Sequence, residues 1–166
     1  HTYAIAGTYT ITINGEITNF NFGLNDPTNV TNLISVTQWG SCFNIVSGFM
    51  AFENCSSLTL TTVTDILDLT NVLTTENMFA GCIQLTTVNN MDSWDVSSVT
   101  NMGGMFADCH LFTQYINSWV VSGVTNMGGM FAECYVFNQP LNLWDVSSVT
   151  NMFVMFGNCI NFNQNI

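Results

Sequence analysis

The sequence predicts a repeat solenoid of the leucine-rich-repeat kind, with a parallel β-sheet, short helical turns and an N-terminal β-hairpin cap. Three observations carry that expectation. The string WDVSSVTNM occurs at Trp94–Met102 and again at Trp144–Met152, with WVVSGVTNM at Trp119–Met127 between them, a 25-residue period. Cys55, Cys82, Cys109, Cys134 and Cys159 follow one another at 27, 27, 25 and 25 residues. Apolar residues recur at fixed offsets from each cysteine. Self-similarity at this period marks units that bury their apolar side only against the next unit.

The N-terminal part is read as residues 1–35, a β cap. TYTITINGEITNF alternates Tyr9, Ile11 and Ile13 with threonine and then places Asn14-Gly15 before Ile17, a strong hairpin signal. Residues 36–166 are read as about five coils. Three positions before each ladder cysteine stand Phe52, Phe79, Phe106, Phe131 and Phe156; three after it stand Leu58, Leu85, Phe112, Phe137 and Phe162. Ten before it stand Ile45, Val72, Val99, Val124 and Val149, and fifteen before it Leu67, Trp94, Trp119 and Trp144. Columns apolar in every unit point inward. Loose alternation at Phe112–Ile116 and Phe137–Leu141 suggests a strand, whereas the spacing from Val99 to Cys109 suggests a tight helical turn. A parallel β-helix is the runner-up, because coils of this length can be built from three short strands.

The units MFADCHLFTQYINSWVVSGVTNM and MFAECYVFNQPLNLWDVSSVTNM closely resemble the repeat of BspA-like surface proteins, whose consensus is close to MFxxCxxFNQxLxxWDVSxVTNM. The resemblance is strong from Met91 to Ile166 and degraded from Val36 to Asn90. It implies a leucine-rich-repeat relative, secreted or surface-anchored, used in adhesion or surface structure, and it implies no enzyme activity. Val120 stands where the repeat expects Asp.

Composition narrows the partners. The chain has no Lys or Arg against eleven acidic residues, a formal net charge of −11, and 48% apolar residues. An apolar content this high predicts a folded protein, here with an uncharged polar skin. Nucleic acid and anionic membrane surfaces are disfavoured, since nothing neutralises phosphate. No segment reaches the roughly 18 apolar residues of a membrane span. A chain without Lys or Arg also offers trypsin-like proteases nothing to cut, which suits a secreted or cell-surface location. The chain begins at His1 with no signal peptide, as expected of a processed chain or a fragment. Asn29 and Asn54 head glycosylation acceptor triplets, relevant only along a eukaryotic secretory route.

The cysteine ladder is read as buried thiols ahead of disulfides, with Cys42–Cys55 the simplest bridge if one exists; without a CxxC pair, zinc has little support. Methionine columns are read as core filler. Asn101, Asn126 and Asn151, next to buried columns, are read as structural amides that bond backbone of their own and adjacent coils. Asp95 and Asp145 are expected to cap the Ser-Ser turns that follow them rather than to hold Ca²⁺. The only histidines are His1 and His110, the latter at a variable position. The sequence therefore predicts no catalytic, cofactor or metal site, and no enzyme activity.

Three functions remain: a structural surface or filament subunit, an adhesin for carbohydrate or protein on a polar face, and ice or mineral binding on the Thr100-Thr125-Thr150 and Ser97-Ser122-Ser147 columns. The first is favoured, as a head-to-tail homopolymer, because Ile166 aligns with Leu141 and Ile116 and no polar cap follows it. An exposed aromatic row would favour the second.

Overall fold

The computed structural model describes residues 7–13, 20–21, 30–40, 45 and 47–166. From Gly48 onward the chain is built from tight turns. Each repeat carries two successive four-residue turns. In the third repeat these are Met102–Met105 and Phe106–Cys109, closed by Met105 N–H to the Met102 carbonyl at 3.2 Å and Cys109 N–H to the Phe106 carbonyl at 3.0 Å. The third residue of each turn has positive φ: Gly104 at 62° and Asp108 at 59°. A type II turn demands that conformation there. The pair recurs as Met50 and Asn54, Asn77 and Gly81, Gly129 and Glu133, and Val154 and Asn158.

Alternate N–H groups of the same segment reach into the next repeat. Met102, Gly104, Phe106 and Asp108 donate to the carbonyls of Asn126, Gly128, Met130 and Ala132 at 2.8–3.0 Å. Met127, Gly129, Phe131 and Glu133 repeat this toward Asn151, Phe153, Met155 and Gly157. The repeats therefore lie one on another, each residue of the turn segment serving either its own turn or its neighbour.

This architecture overturns the expected leucine-rich-repeat solenoid with its parallel sheet, and the β-helix alternative with it. Among the described residues there is no strand and no α-helix; the helical content is two single 3₁₀ turns, Val30–Asn32 and Met91–Ser93. Parallel pairing is reduced to isolated bridges, Ser35 with Thr59, Leu60 with Val88, and Thr74–Asn101–Asn126–Asn151 in series. Three of these five bridges sit on the asparagine column and none at Phe112, Phe137 and Phe162, where a sheet was expected.

The physical reasons are local. A chain that returns a hydrogen bond every third residue through left-handed positions cannot be extended. At the Phe column single backbone bonds, such as Thr113 N–H to the Thr86 carbonyl at 2.9 Å, are supplemented by side-chain amides and do not extend into a ladder. Val88 N–H donates to Gln114 Oε1 at 2.9 Å and Asn163 N–H to Asn138 Oδ1 at 3.1 Å. Pro140 has no N–H to contribute. The Asn14-Gly15 hairpin lies outside the described residues; Tyr9, Ile11 and Ile13 are exposed.

The core is a set of continuous side-chain stacks. Phe52, Phe79, Phe106, Phe131 and Phe156 follow one another with ring centroids 5.3, 5.9, 5.8 and 5.6 Å apart and near-parallel planes. Phe112, Phe137 and Phe162 form a second stack at 5.9 Å per step. Phe106 and Phe131 are fully buried and Phe156 partly so. Each fully buried phenylalanine contributes about 2 kcal/mol through lost apolar exposure. At the N-terminal side of the stack, Phe20 packs on Phe52 at 5.3 Å and the Asn21 amide donates to the Phe49 carbonyl at 3.0 Å.

Candidate functional site

Three columns singled out from the sequence tie the stack together, the cysteines and tryptophans buried and the asparagines half-buried to exposed at its surface. Asn101, Asn126 and Asn151 form an amide ladder. Each Oδ1 accepts the N–H two residues on, from Gly103, Gly128 and Phe153, at 3.0 Å. Each Nδ2 donates to the repeat before: Asn151 to Asn126 Oδ1 and Asn126 to Asn101 Oδ1 at 2.8 Å, and Asn101 to Glu76 Oε2 at 3.0 Å. The adjacent-repeat partner is thus a side chain, not backbone. A Cβ on Gly103 would stand 2.8 Å from the Asn126 amide nitrogen, so the ladder requires glycine there. The shallow groove beside it is floored by Gly103, Gly104, Gly128 and Gly129 and ends at Phe153 and Val154.

The five ladder cysteines are free and buried. Cys42, the bridge partner considered for Cys55, lies outside the described residues. Cys82, Cys109 and Cys134 donate Sγ–H to the carbonyls of Phe52, Phe79 and Phe106 at 3.0–3.1 Å. Burial pushes every thiol up, Cys55 and Cys159 to about 11 and the three between them further. Such groups are poor nucleophiles. In the Trp column, the Nε1 of Trp119 donates to the Met91 carbonyl at 2.9 Å and that of Trp144 to the Ile116 carbonyl at 3.0 Å. Trp94, equally buried, has no partner for its Nε1.

The acidic and hydroxyl columns act locally. Asp95 Oδ1 accepts from Ser97 Oγ at 2.6 Å and Ser97 N–H at 3.0 Å. Asp68 does the same with Thr70, and Asp145 accepts Ser147 N–H. These hydrogen bonds, the hydroxyl first, hold the three carboxyls below the usual aspartate range. The Thr100, Thr125 and Thr150 hydroxyls each donate to a carbonyl of the preceding repeat at 3.1 Å. They are committed to stacking rather than presented as a free array. Among the described residues, no three of His, Cys, Asp and Glu come together as a metal-holding group. Asn54, the described glycosylation candidate, is exposed and left-handed at φ 61°; Asn29 lies outside the described residues.

Sequence reasoning missed a surface row one position past the cysteines: Ile83, His110, Tyr135 and Ile160. The His110 and Tyr135 rings stack at 4.6 Å and 19°. Ile83, Ile160 and the adjacent Leu111 are exposed, Ile160 by 77%. One position before the cysteines lie Asp108, Glu133 and Asn158. The Asn158 amide and the Tyr135 hydroxyl donate to Glu133, and the Asn158 bond is the main cause of its lowered pKa. The hydrogen bond that Tyr135 itself donates to Glu133 raises the Tyr135 phenol. The row was not legible by identity, because its four positions hold three residue types.

The fifth repeat presents a different face. Met152, Phe153, Val154, Ile160 and Ile166 are exposed, Phe153 by 78%. Phe153-Val154 stands where the two preceding repeats have Gly-Gly, which leaves Val154 at φ 48°.

Neither a curated protein nor a solved structure matches the chain. No helix among the described residues is long and apolar enough to cross a membrane. A family model described as "Mycoplasma protein of unknown function, DUF285" matches residues 46–166. That span takes in all five turn-built repeats from Gly48 onward, and by it the chain belongs to the DUF285 family.

Proposed function

We propose that this is a non-enzymatic protein displayed at the cell surface or secreted, which binds carbohydrate or protein on the side of its repeat stack. The observation that carries the reading is the surface row in which exposed Ile83 and Ile160 flank the half-buried His110–Tyr135 ring pair. The His110–Tyr135 stack bridges two repeats, but the isoleucines beside it lie outside the buried apolar columns, and exposed apolar side chains rimmed by polar groups mark interaction sites. The resemblance to BspA-like repeats supports a surface location and an adhesive role. Binding of the intact chain to host-surface glycans and proteins, compared with a Tyr135→Ala, Ile160→Ser variant, tests this. Equal binding by both would defeat it.

A second reading, a structural subunit that associates with itself end to end, has its own observation. The turn segment of the fifth repeat exposes Met152, Phe153 and Val154, an apolar edge on which a further repeat, of the same chain or of a second copy, can stack. At the opposite side, Phe20 and Asn21 already occupy the first repeat, which makes a head-to-tail contact costlier than a lateral one. Sedimentation across salt concentrations discriminates. Screening of the −11 charge strengthens end-on association as salt rises, whereas a chain that stays monomeric at high salt rules it out.

A further inference from the structure

We infer that the partner on this side face is a protein segment that alternates basic and aliphatic side chains. The inference rests on the lateral-binding reading above and names the chemistry of its occupant. His110 and Tyr135 each spend one ring face on the other at 4.6 Å, and both side chains are half-buried, which reduces the flat platform on which a sugar stacks. What remains outward is ring edge and aliphatic surface: Ile83, Leu111 and Ile160 are exposed. Alongside runs the column of Asp108, which is exposed, and Glu133. Glu133 is kept ionised by hydrogen bonds from Asn158 and Tyr135.

Charge complementarity selects the occupant. The chain has no Lys or Arg, so none of its own residues other than histidine can neutralise these carboxylates. A long basic side chain fits both features, laying its methylene stem on the apolar row and its charged head on the carboxylates. The field of eleven carboxylates steers such a segment toward the molecule and repels anionic ones.

The experiment titrates the intact chain with a short peptide alternating lysine and leucine, beside a glutamate–leucine peptide and neutral oligosaccharides. The lysine–leucine peptide is expected to bind and the glutamate–leucine peptide not. Asp108→Asn with Glu133→Gln should weaken binding by about tenfold, in the range of coupling energies for close charge pairs. Ile160→Ser should weaken it at unchanged net charge, and Asp95→Asn, in a different column, should leave it as it is. Thermal melts confirm that each variant is folded, and Ile160→Ser, already exposed, carries the test if the acidic variant is not. Equal losses for Asp95→Asn and the ridge variants would mean diffuse charge attraction and overturn the proposal. Ridge-dependent oligosaccharide binding without peptide binding would overturn it while leaving the lateral reading intact. Ridge-independent binding of every probe would remove both.

Discussion

The Asn126 amide nitrogen lies 2.8 Å from Oδ1 of Asn101, one repeat away, while its own oxygen receives both Gly128 N–H and the Asn151 amide. One side chain thus satisfies polar groups in three repeats. Asn126→Ala should therefore cost about 1–3 kcal/mol, the penalty for leaving part-buried polar groups unpaired. Asn151→Ala, with one repeat on one side of it, should cost less. Denaturant melts showing equal costs, or a change within roughly 0.3 kcal/mol for Asn126→Ala, would contradict the ladder.

Val154 holds a left-handed conformation at φ 48°, which disfavours a β-branched residue. Val154→Gly should raise stability by up to about 1 kcal/mol, the relief of strain less the added freedom of the unfolded chain. The reciprocal Gly129→Val should lower it by about 1–2 kcal/mol; space is not the obstacle, since nothing lies within 4 Å of a Cβ there. A destabilised Val154→Gly would show that exposed Val154 contributes packing not evident in its contacts.

The indoles supply an internal contrast. Trp119→Phe gives up a bond to the Met91 carbonyl at 2.9 Å, whereas Trp94→Phe removes an N–H that has no partner. With similar volume lost, Trp119→Phe should cost about 1 kcal/mol more than Trp94→Phe. Equal midpoints in urea would remove that distinction.

Thiol reactivity should follow burial along the ladder. Cys159, 8% exposed with its pKa near 11, should label first with iodoacetamide, and Cys82, Cys109 and Cys134 only on unfolding. Peptide-resolved mass spectrometry after chymotrypsin checks this, since trypsin has no site in the chain. Rapid labelling of Cys109 in the folded protein would place it outside the core.

The capping aspartates give a pH signature. Asp68, Asp95 and Asp145 have folded pKa values below the ordinary value. Their contribution is complete above about pH 4–5 and is lost as pH falls through the folded values. Acid also relieves repulsion among the other carboxylates, so the variant comparison carries the signal. Replacing all three by Asn keeps an acceptor without a titration. Between about pH 6 and pH 3 the melting temperature of this variant should fall less than that of the parent; parallel falls would deny the caps a role in acid stability.

The stacks were legible because a buried position is filled alike in every repeat: Phe106 and Phe131, Cys109 and Cys134, Met105 and Met130 align by identity. The backbone path was not. Phe112–Ile116 alternates like a strand, yet Gln114 and Asn138 offer amides that substitute for ladder partners. The turns depend on left-handed residues as unlike as Gly104, Asp108 and Glu133, and only glycine advertises that conformation. The His110–Tyr135 row escaped notice for the opposite reason: surface positions are held to a property, and residue identity drifts.

The bonds that join the regular repeats keep fixed offsets, 25 residues between like side chains as in Asn101–Asn126, Thr100–Thr125 and Asn117–Asn142. Deleting one residue between two columns would set amides against threonines or methionines across that one step, while later repeats keep their own spacing. Adding or removing a complete block would leave each surviving neighbour correctly matched. A gene for such a chain is therefore expected to lengthen and shorten by duplication and loss of whole 75-base units (25 codons). Length, not fine sequence, is then the property that such a lineage can vary most freely.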